Sequence, residues 1–358
     1  MRLTSGVALA MLCACSKSES PRAEPVKGVG AAKPTATPAS PASPAPTFAT
    51  PEAKLRRYQD CLASFNAGAD SYAACFAKDA QREQVDSVPE SIVKGAAKIG
   101  DTAKAQHASY PDLFATPQLI IASGSDVIAI LYVRGTNTGN VEELAATGKK
   151  IAVFEAEIVT IGDDGLISSD RVFVDQPTIY HQLGLVPNDT SPEVTARKPR
   201  PVEALVAKTD ATEAANKALI EANLSAINKK DTKSVVASAA LDVSLIYHGD
   251  KQRVTNKKAF QAWVEESVRS SNDGNVAITH TWTAGEYVVV SDTFTGTPTE
   301  AVAGKGPAKK IESRVLEFFR VKNGKLAEQQ IFGNRLKVAL QLGLIDPVEL
   351  ADTLSKHK

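Results

Sequence analysis

Long hydrophobic runs are missing: none reaches the roughly 20 apolar residues that a membrane-spanning helix needs. Net charge is missing as well. Lys and Arg number 41, and Asp and Glu number 41. The chain therefore lacks the broad basic field behind nonspecific nucleic-acid binding, and no nucleic-acid partner is expected. Cysteine is scarce, at 4 in 358 residues, which excludes a small disulfide-built scaffold. There is no G-x-S-x-G nucleophile elbow and no P-loop. His107, His181, His248, His280 and His357 include no pair at the three- or four-residue spacing of a helical metal site. Neither a metal nor a cofactor is expected. What remains is an ordinary globular composition, 43% hydrophobic and 23% charged, with length for about two domains.

Residues 1–15 read as a leader. Arg2 supplies positive charge and Val7 to Leu12 a short apolar core. Leu12-Cys13-Ala14-Cys15 resembles a bacterial lipobox, in which the closing cysteine is lipidated and becomes the first residue. Cys15 fits that position, with Leu12 and Ala14 before it. Residues 16–51 hold eight of the 19 prolines and almost no bulky apolar side chains. Such a segment cannot offset its own ordering entropy and reads as a disordered tether. The expected location is the bacterial cell envelope, lipid-anchored, with Ser16 compatible with an outer membrane facing the periplasm. In that oxidising compartment Cys61 and Cys75 are expected to form a disulfide, because they flank a helix–turn–helix almost symmetrically about Gly68.

The chain also repeats itself. Glu155 to Val186 aligns without a gap on Arg314 to Ile345. Gly165 falls on Gly324, Phe173 on Phe332, and Gln182-Leu183-Gly184-Leu185 on Gln341-Leu342-Gly343-Leu344. Leu62 to Asn66 matches Leu224 to Asn228 further upstream. A period near 160 residues means duplicated domains and not a solenoid. The reading is domain one at 52–188, a proline-punctuated linker at 189–207, domain two at 208–350 and a tail at 351–358. In each copy helical spacings come first and strands follow, which indicates an α+β fold. Each unit is expected to be a cone: a curved, mostly antiparallel sheet packed on N-terminal helices.

Several motifs occur in order: Tyr110-Pro111-Asp112-Leu113, Arg134-Gly135-Thr136-Asn137-Thr138-Gly139, Ala146-Thr147-Gly148-Lys149-Lys150 and Val174-Asp175-Gln176. With the closing Gln182-Leu183-Gly184-Leu185 they resemble the SnoaL-like polyketide cyclases, or ester cyclases, of the nuclear transport factor 2-like superfamily. The resemblance covers most of domain one and, more weakly, all of domain two. It implies cofactor-free acid–base chemistry on a small, apolar carbonyl compound, or noncatalytic ligand binding on the same fold.

The resemblance matches Asp175 to the family's last-strand acid/base and Glu157 to an acidic position in the preceding strand. Alternation puts Glu155 with Glu157 on one strand face, and Arg171, Phe173 and Asp175 on one face of the last strand. The expected domain-one pocket is therefore Asp175 and Glu157 as proton-transfer groups, with Phe173, Tyr132, Glu155 and Arg171 around them. The competing reading makes Asp175 a strand-end cap, Glu157 an arginine-paired strand residue, and Tyr132 and Trp282 core. The gapless alignment places Leu316 opposite Glu157 and Asn334 opposite Asp175, and Asn cannot exchange a proton. Chemistry is accordingly expected in domain one, with domain two as a structural or binding copy. Whether the chain is an enzyme or a binding module is open at this level. So is pairing, either of the two domains or of two copies.

Overall fold

The computed structural model describes residues 47–141, 144–186, 191–194, 201–299 and 309–357. The leader, Cys15 and most of the tether lie outside the described residues. The ordered body starts earlier than residue 52, because Phe48 N–H donates to the Asp163 carbonyl at 2.9 Å.

Domain one opens with α1 (Pro51–Asn66), capped by the Thr50 hydroxyl accepting from Ala53 N, with Pro51 in the first turn. Leu55, Tyr58, Cys61 and Phe65 recur at helical spacing and form its buried stripe. A 3₁₀ turn (Tyr72–Cys75) brings Cys75 back to Cys61, with Cα atoms 5.8 Å apart in a disulfide. Next come β1 (Phe76–Gln84), β2 (Ser91–Lys94), α2 (Ala96–Ser109), β3 (Phe114–Ser123) and β4 (Asp126–Thr136). They are followed by β5 (Lys150–Ile161), β6 (Ile167–Val174) and α3 (Gln176–Leu183). Residues 91–109 are thus a short strand and then a helix. The expected linker contains β7 (Glu203–Val206), which adds in parallel to β3 and finishes the sheet β2-β1-β6-β5-β4-β3-β7.

Domain two repeats the plan with α4 (Ala211–Asn228), α5 (Thr232–Ser238), β8 (Ala239–Tyr247), β9 (Arg253–Val254) and α6 (Lys257–Arg269). The remaining elements are β10 (Asn275–Ala284), β11 (Tyr287–Gly296), β12 (Ile311–Lys322), β13 (Lys325–Phe332), α7 (Arg335–Gln341) and α8 (Pro347–Ser355). Its sheet runs β10-β11-β12-β13-β8-β9. Most ladders are antiparallel, and the parallel exceptions include β1–β6 and β8–β13. The expected tail is not featureless, since α8 runs into it. Leu350 and Leu354 of α8 cross back into the core of domain one.

Each sheet is buried on both faces. The concave face of domain one meets α1 and α2 through residues such as Ile120, Val127, Leu131 and Val159. The concave face of domain two meets α4 and α6 through Val243, Val288, Val290 and Phe319. The other two faces pack on each other: Ile128, Ile130, Ile158 and Phe173 against Trp282, Val289, Phe318 and Phe332. Double coverage explains why Val127 to Val133 of β4 is one unbroken buried run instead of an alternating one.

The rim of this interface is polar. Trp282 Nε1 donates to Asp126 Oδ2 at 2.9 Å, and Arg314 reaches Asp86 at 2.8 Å and Glu83 at 2.6 Å. Asn334 Nδ2 donates to Gln176 Oε1 at 2.6 Å.

The bridge between Cys61 and Cys75 closes a loop with a sequence separation of 14. The chain-entropy argument gives it about 3 kcal/mol. The Cys61→Ser, Cys75→Ser double variant is expected to unfold at lower denaturant with about that loss, and a reductant should do the same to the wild type alone.

Candidate functional site

Inside the domain-one cone a cluster of ionisable groups has formed. The Tyr58 hydroxyl on α1 donates to Glu157 Oε1 on β5, and Arg82 Nε on β1 meets Asp170 Oδ2 on β6 at 3.0 Å. Glu155 and Tyr72 complete the lining. Burial pushes the Glu155 carboxyl up to about 7, against the pull of Arg82. Glu157 is also pushed up by burial, then by Asp170 and Glu155, while the Tyr58 hydrogen bond and Arg82 pull it down. The side chains nearly fill the cone. About 30 Å³ is left, little more than a water molecule occupies, and Arg82 Nη1 and Asp170 Oδ1 face burial without a protein partner.

Asp175 is elsewhere. It is the N-cap of α3, with Oδ2 accepting from Thr178 N at 3.1 Å and Thr178 Oγ1 at 2.7 Å. It also pairs across the domain interface with Arg335, Nη2 to Oδ2 at 2.8 Å, and accepts from the Arg335 backbone N–H. Gly249 of domain two is pressed against it: a Cβ there would fall 2.8 Å from Asp175 Cγ. Asn334 caps α7 in the same way, through Leu336 N. Asp and Asn are equally good N-caps, so the Asp/Asn difference between the copies needs no catalytic explanation. Phe173 lies in the interdomain core, and Tyr132 stands against Phe154 with ring centroids 5.1 Å apart. Arg171 pairs with Ile158, on the face turned to domain two. Of the expected pocket, the structure brings together Glu155 and Glu157 and separates them from Asp175, Phe173, Tyr132 and Arg171.

Tyr132 is on the far face by simple alternation, opposite Phe154, and the β6 residues are separated by a register shift. At the hairpin, Ile161 pairs with Ile167, but Thr160 pairs with Ser169. Ser168 is an extra residue, a bulge. Had the first register continued, Arg171 would sit opposite Glu157 and Phe173 opposite Glu155. The one-residue slip turns every side chain of β6 over, so Val172 sits opposite Glu157, Val174 opposite Glu155, and Asp170 opposite Val159. Asp170 escaped sequence analysis for that reason, and with it the partners that other elements bring to the cluster, Arg82 from β1 and Tyr58 from α1.

The same counting corrects domain two. Val321 to Leu326 is one residue shorter than Ile161 to Ile167. Ala156 pairs with Phe173 as Leu316 pairs with Phe332, and Glu157 pairs with Val172 as Glu317 pairs with Ile331. The counterpart of Glu157 is therefore Glu317, not Leu316. Domain two keeps its strand glutamate.

Around Glu317 the domain-two cone is different. Gln329 occupies the place of Asp170 and donates to Glu317 Oε2. Asp292 on β11 hydrogen-bonds Glu317. Burial raises the Asp292 carboxyl far above its usual range, and the neighbouring Glu317 carboxylate raises it further. Burial raises Glu317 as well, while its bonds from Gln329 and Asp292 pull it back. The pair therefore shares one proton. Apart from this contact, Asp292 Oδ2 finds no protein partner, and neither does Asn223 Nδ2 on α4. Both line a cavity of about 270 Å³ walled by Phe260, Trp263 and Phe319. A third cavity, about 250 Å³, lies in the interdomain cleft by Tyr132, Phe154 and His248. Among the described residues there is no cluster of three or more metal-ligating side chains.

Acids that stay protonated in the native state give a definite pH response. The unfolded chain releases these protons near pH 4 while the folded one keeps them, so stability falls as pH rises. For Glu155 that fall ends near pH 7. In melts across this range, Glu155→Gln is expected to show a shallower loss of stability with pH than the wild type.

Comparison with known proteins follows the duplication. The sequence pattern of the SnoaL-like polyketide cyclases matches residues 53–183 and again 217–342. No curated protein matches the chain. Among solved structures, AclR from Streptomyces galilaeus, assigned as a hydroxylase, is 19% identical over 37% of this chain and 97% of its own, with a TM-score of 0.33. A protein assigned as a SnoaL-like polyketide cyclase, from Shewanella putrefaciens, is 15% identical over 36% and 86%, with a TM-score of 0.34. A ketosteroid isomerase-like fold from Catenulispora acidiphila, in complex with trimethylamine, is 17% identical over 35% and 92%, with a TM-score of 0.31.

Proposed function

The chain belongs to the SnoaL-like polyketide cyclase family, and on that premise we propose that it is a lipid-anchored envelope protein performing cofactor-free acid–base chemistry on a small, apolar carbonyl compound in the cone of domain two. The observation that carries this reading is the 270 Å³ cavity with the Asp292–Glu317 pair and the unpartnered Asn223 amide on its wall. The domain-one cone has comparable acids but only about 30 Å³. Domain one then acts as the partner that covers the outer face of the working sheet.

The chemistry follows from the proton inventory. Asn223 Nδ2–H donates to a carbonyl oxygen, and Asp292 turns its proton from Glu317 to the same oxygen when the substrate binds. The Glu317 carboxylate takes a proton from the carbon next to that carbonyl, and the electron pair of the broken C–H bond moves into an enolate. The two donors stabilise the charge on its oxygen. The proton returns from Glu317 to another carbon in an isomerisation. In a ring closure the enolate carbon attacks a second carbonyl, whose oxygen takes the proton. A carboxylate placed at the pair would be repelled, so the group that reacts is neutral.

The anchor is Cys15 in this reading, and the Cys61–Cys75 bridge is the bond an oxidising compartment permits. Mass spectrometry of the mature N-terminus is expected to find a diacylglyceryl-modified Cys15; an unmodified start downstream would refute the anchor.

Screening small ketones and esters against the soluble body should find a turnover that Glu317→Gln lowers by about 10²- to 10⁴-fold. Asp175→Asn should leave that turnover in place. A Glu317→Gln variant with full activity refutes the assignment. Tight binding of the same compounds without turnover, in wild type and variant alike, would make the protein a carrier.

A further inference from the structure

The cavity of domain two carries a second polar feature that acid–base chemistry does not use. Lys230 follows the C-terminus of α4 in a left-handed conformation, with φ of 60°. Its half-buried side chain turns onto the cavity wall and donates to the Gly274 carbonyl at 2.7 Å. It is the only cationic residue on that wall, and no carboxylate lies within ion-pairing distance of it among the described residues. The nearest acidic loop residue, Asp273, is committed to Thr297 and Ser271. The Lys230 ammonium therefore has a protein carbonyl as its hydrogen-bond partner and no counter-ion.

Its position relative to the acid pair can be read along two elements. Gly274 lies against Phe294, because a Cβ on Gly274 would come 3.3 Å from the Phe294 ring. Phe294 is two residues beyond Asp292 on β11, on the same face, a rise of about 7 Å. Asn223 lies five residues, about 7.5 Å of helix, before the end of α4, and Lys230 lies two residues past that end. The cation and the carbonyl-binding groups therefore stand at separate places on the wall of one cavity, which Trp263, Phe260 and Phe294 also line.

Resting on the reading of the domain-two cone as the working site, we infer that its ligand is an apolar oxo acid whose carboxylate is held by Lys230 while its neutral carbonyl sits at Asn223 and the Asp292–Glu317 pair. The cation offsets the single negative charge of the pair, which would otherwise disfavour entry of an anion. It also fixes the orientation: the carboxylate goes to Lys230, and only the neutral end reaches the acids.

The test compares 4-benzoylbutyric acid with its methyl ester, which share an aryl ketone and differ in the charged end. Binding is measured by calorimetry on the soluble body containing both domains, at neutral pH and low salt. The wild type is expected to bind the acid about tenfold more tightly than the ester, the scale of a charge-assisted contact. Lys230→Met should remove that tenfold difference and leave ester binding unchanged, while Lys230→Arg keeps it. Asn223→Ala should weaken acid and ester alike. Equal affinity of the wild type for acid and ester overturns the inference and leaves the carbonyl site standing. Equal loss of both ligands in Lys230→Met, with an unaltered melt, would reduce Lys230 to a tie across the wall and also overturns it. If neither compound binds, the oxo-acid inference and the domain-two assignment fall together.

Discussion

Each curved sheet has two apolar faces, and both must leave water. The concave face is closed by the domain's own helices, and the outer face can be closed only by the outer face of the other sheet. Burying a side chain the size of Phe173, Phe318 or Phe332 contributes about 1.5–3 kcal/mol, so this contact is not optional for either half. Its demands reach well beyond the packed residues. Asp175 and Asn334 stand at corresponding places on its rim, each capping a helix and each bonded across the junction. Phe173 is large because it faces Trp282 and its neighbours, not because it lines a pocket. The concave faces are left as the dry interiors where an acid can be held protonated.

The duplication, the α+β class and the disulfide were legible because each leaves a signal along the chain: repeated motifs, helical spacings ahead of strands, and two cysteines flanking a turn. The facing of the last strand was not legible. It depends on Ser168, one unpaired residue beside the Asp163–Gly165 turn, and nothing in the identity of Ser168 announces a bulge. The same arithmetic hid Glu317, since the hairpin of domain two is shorter by one residue and a gapless alignment steps over it. Sequence analysis put Glu155 and Glu157 on one face of their strand, and the structure places both inside the domain-one cone. The same reading paired them with the wrong side of their neighbour.

The two cones show how one scaffold tolerates opposite interiors. In domain one Tyr58, Tyr72 and Arg82 occupy the space around the glutamates, and the charges compensate one another in a nearly solid interior. In domain two, Ile220 follows the repeat into the place of Tyr58, Gln329 replaces Asp170, and β8 offers Leu245 opposite Gln329 where β1 offers Arg82 opposite Asp170. Removing those bulky polar groups opens the cavity and leaves fewer partners for the acids that stay. The copy that looks degenerate when only Asp175 is compared is the one with room for a ligand.

The crossing of α8 has a consequence for how the molecule is made. Leu350 and Leu354 fill the core of domain one, Leu336 of α7 joins them, and the Ala145 N–H donates to the His357 carbonyl. The first half of the chain therefore cannot complete its interior when its own last strand has emerged; it waits for the final residues. A chain emerging from its N-terminus would hold domain one unfinished until release, with the apolar surface that Leu350 and Leu354 cover left open during that interval.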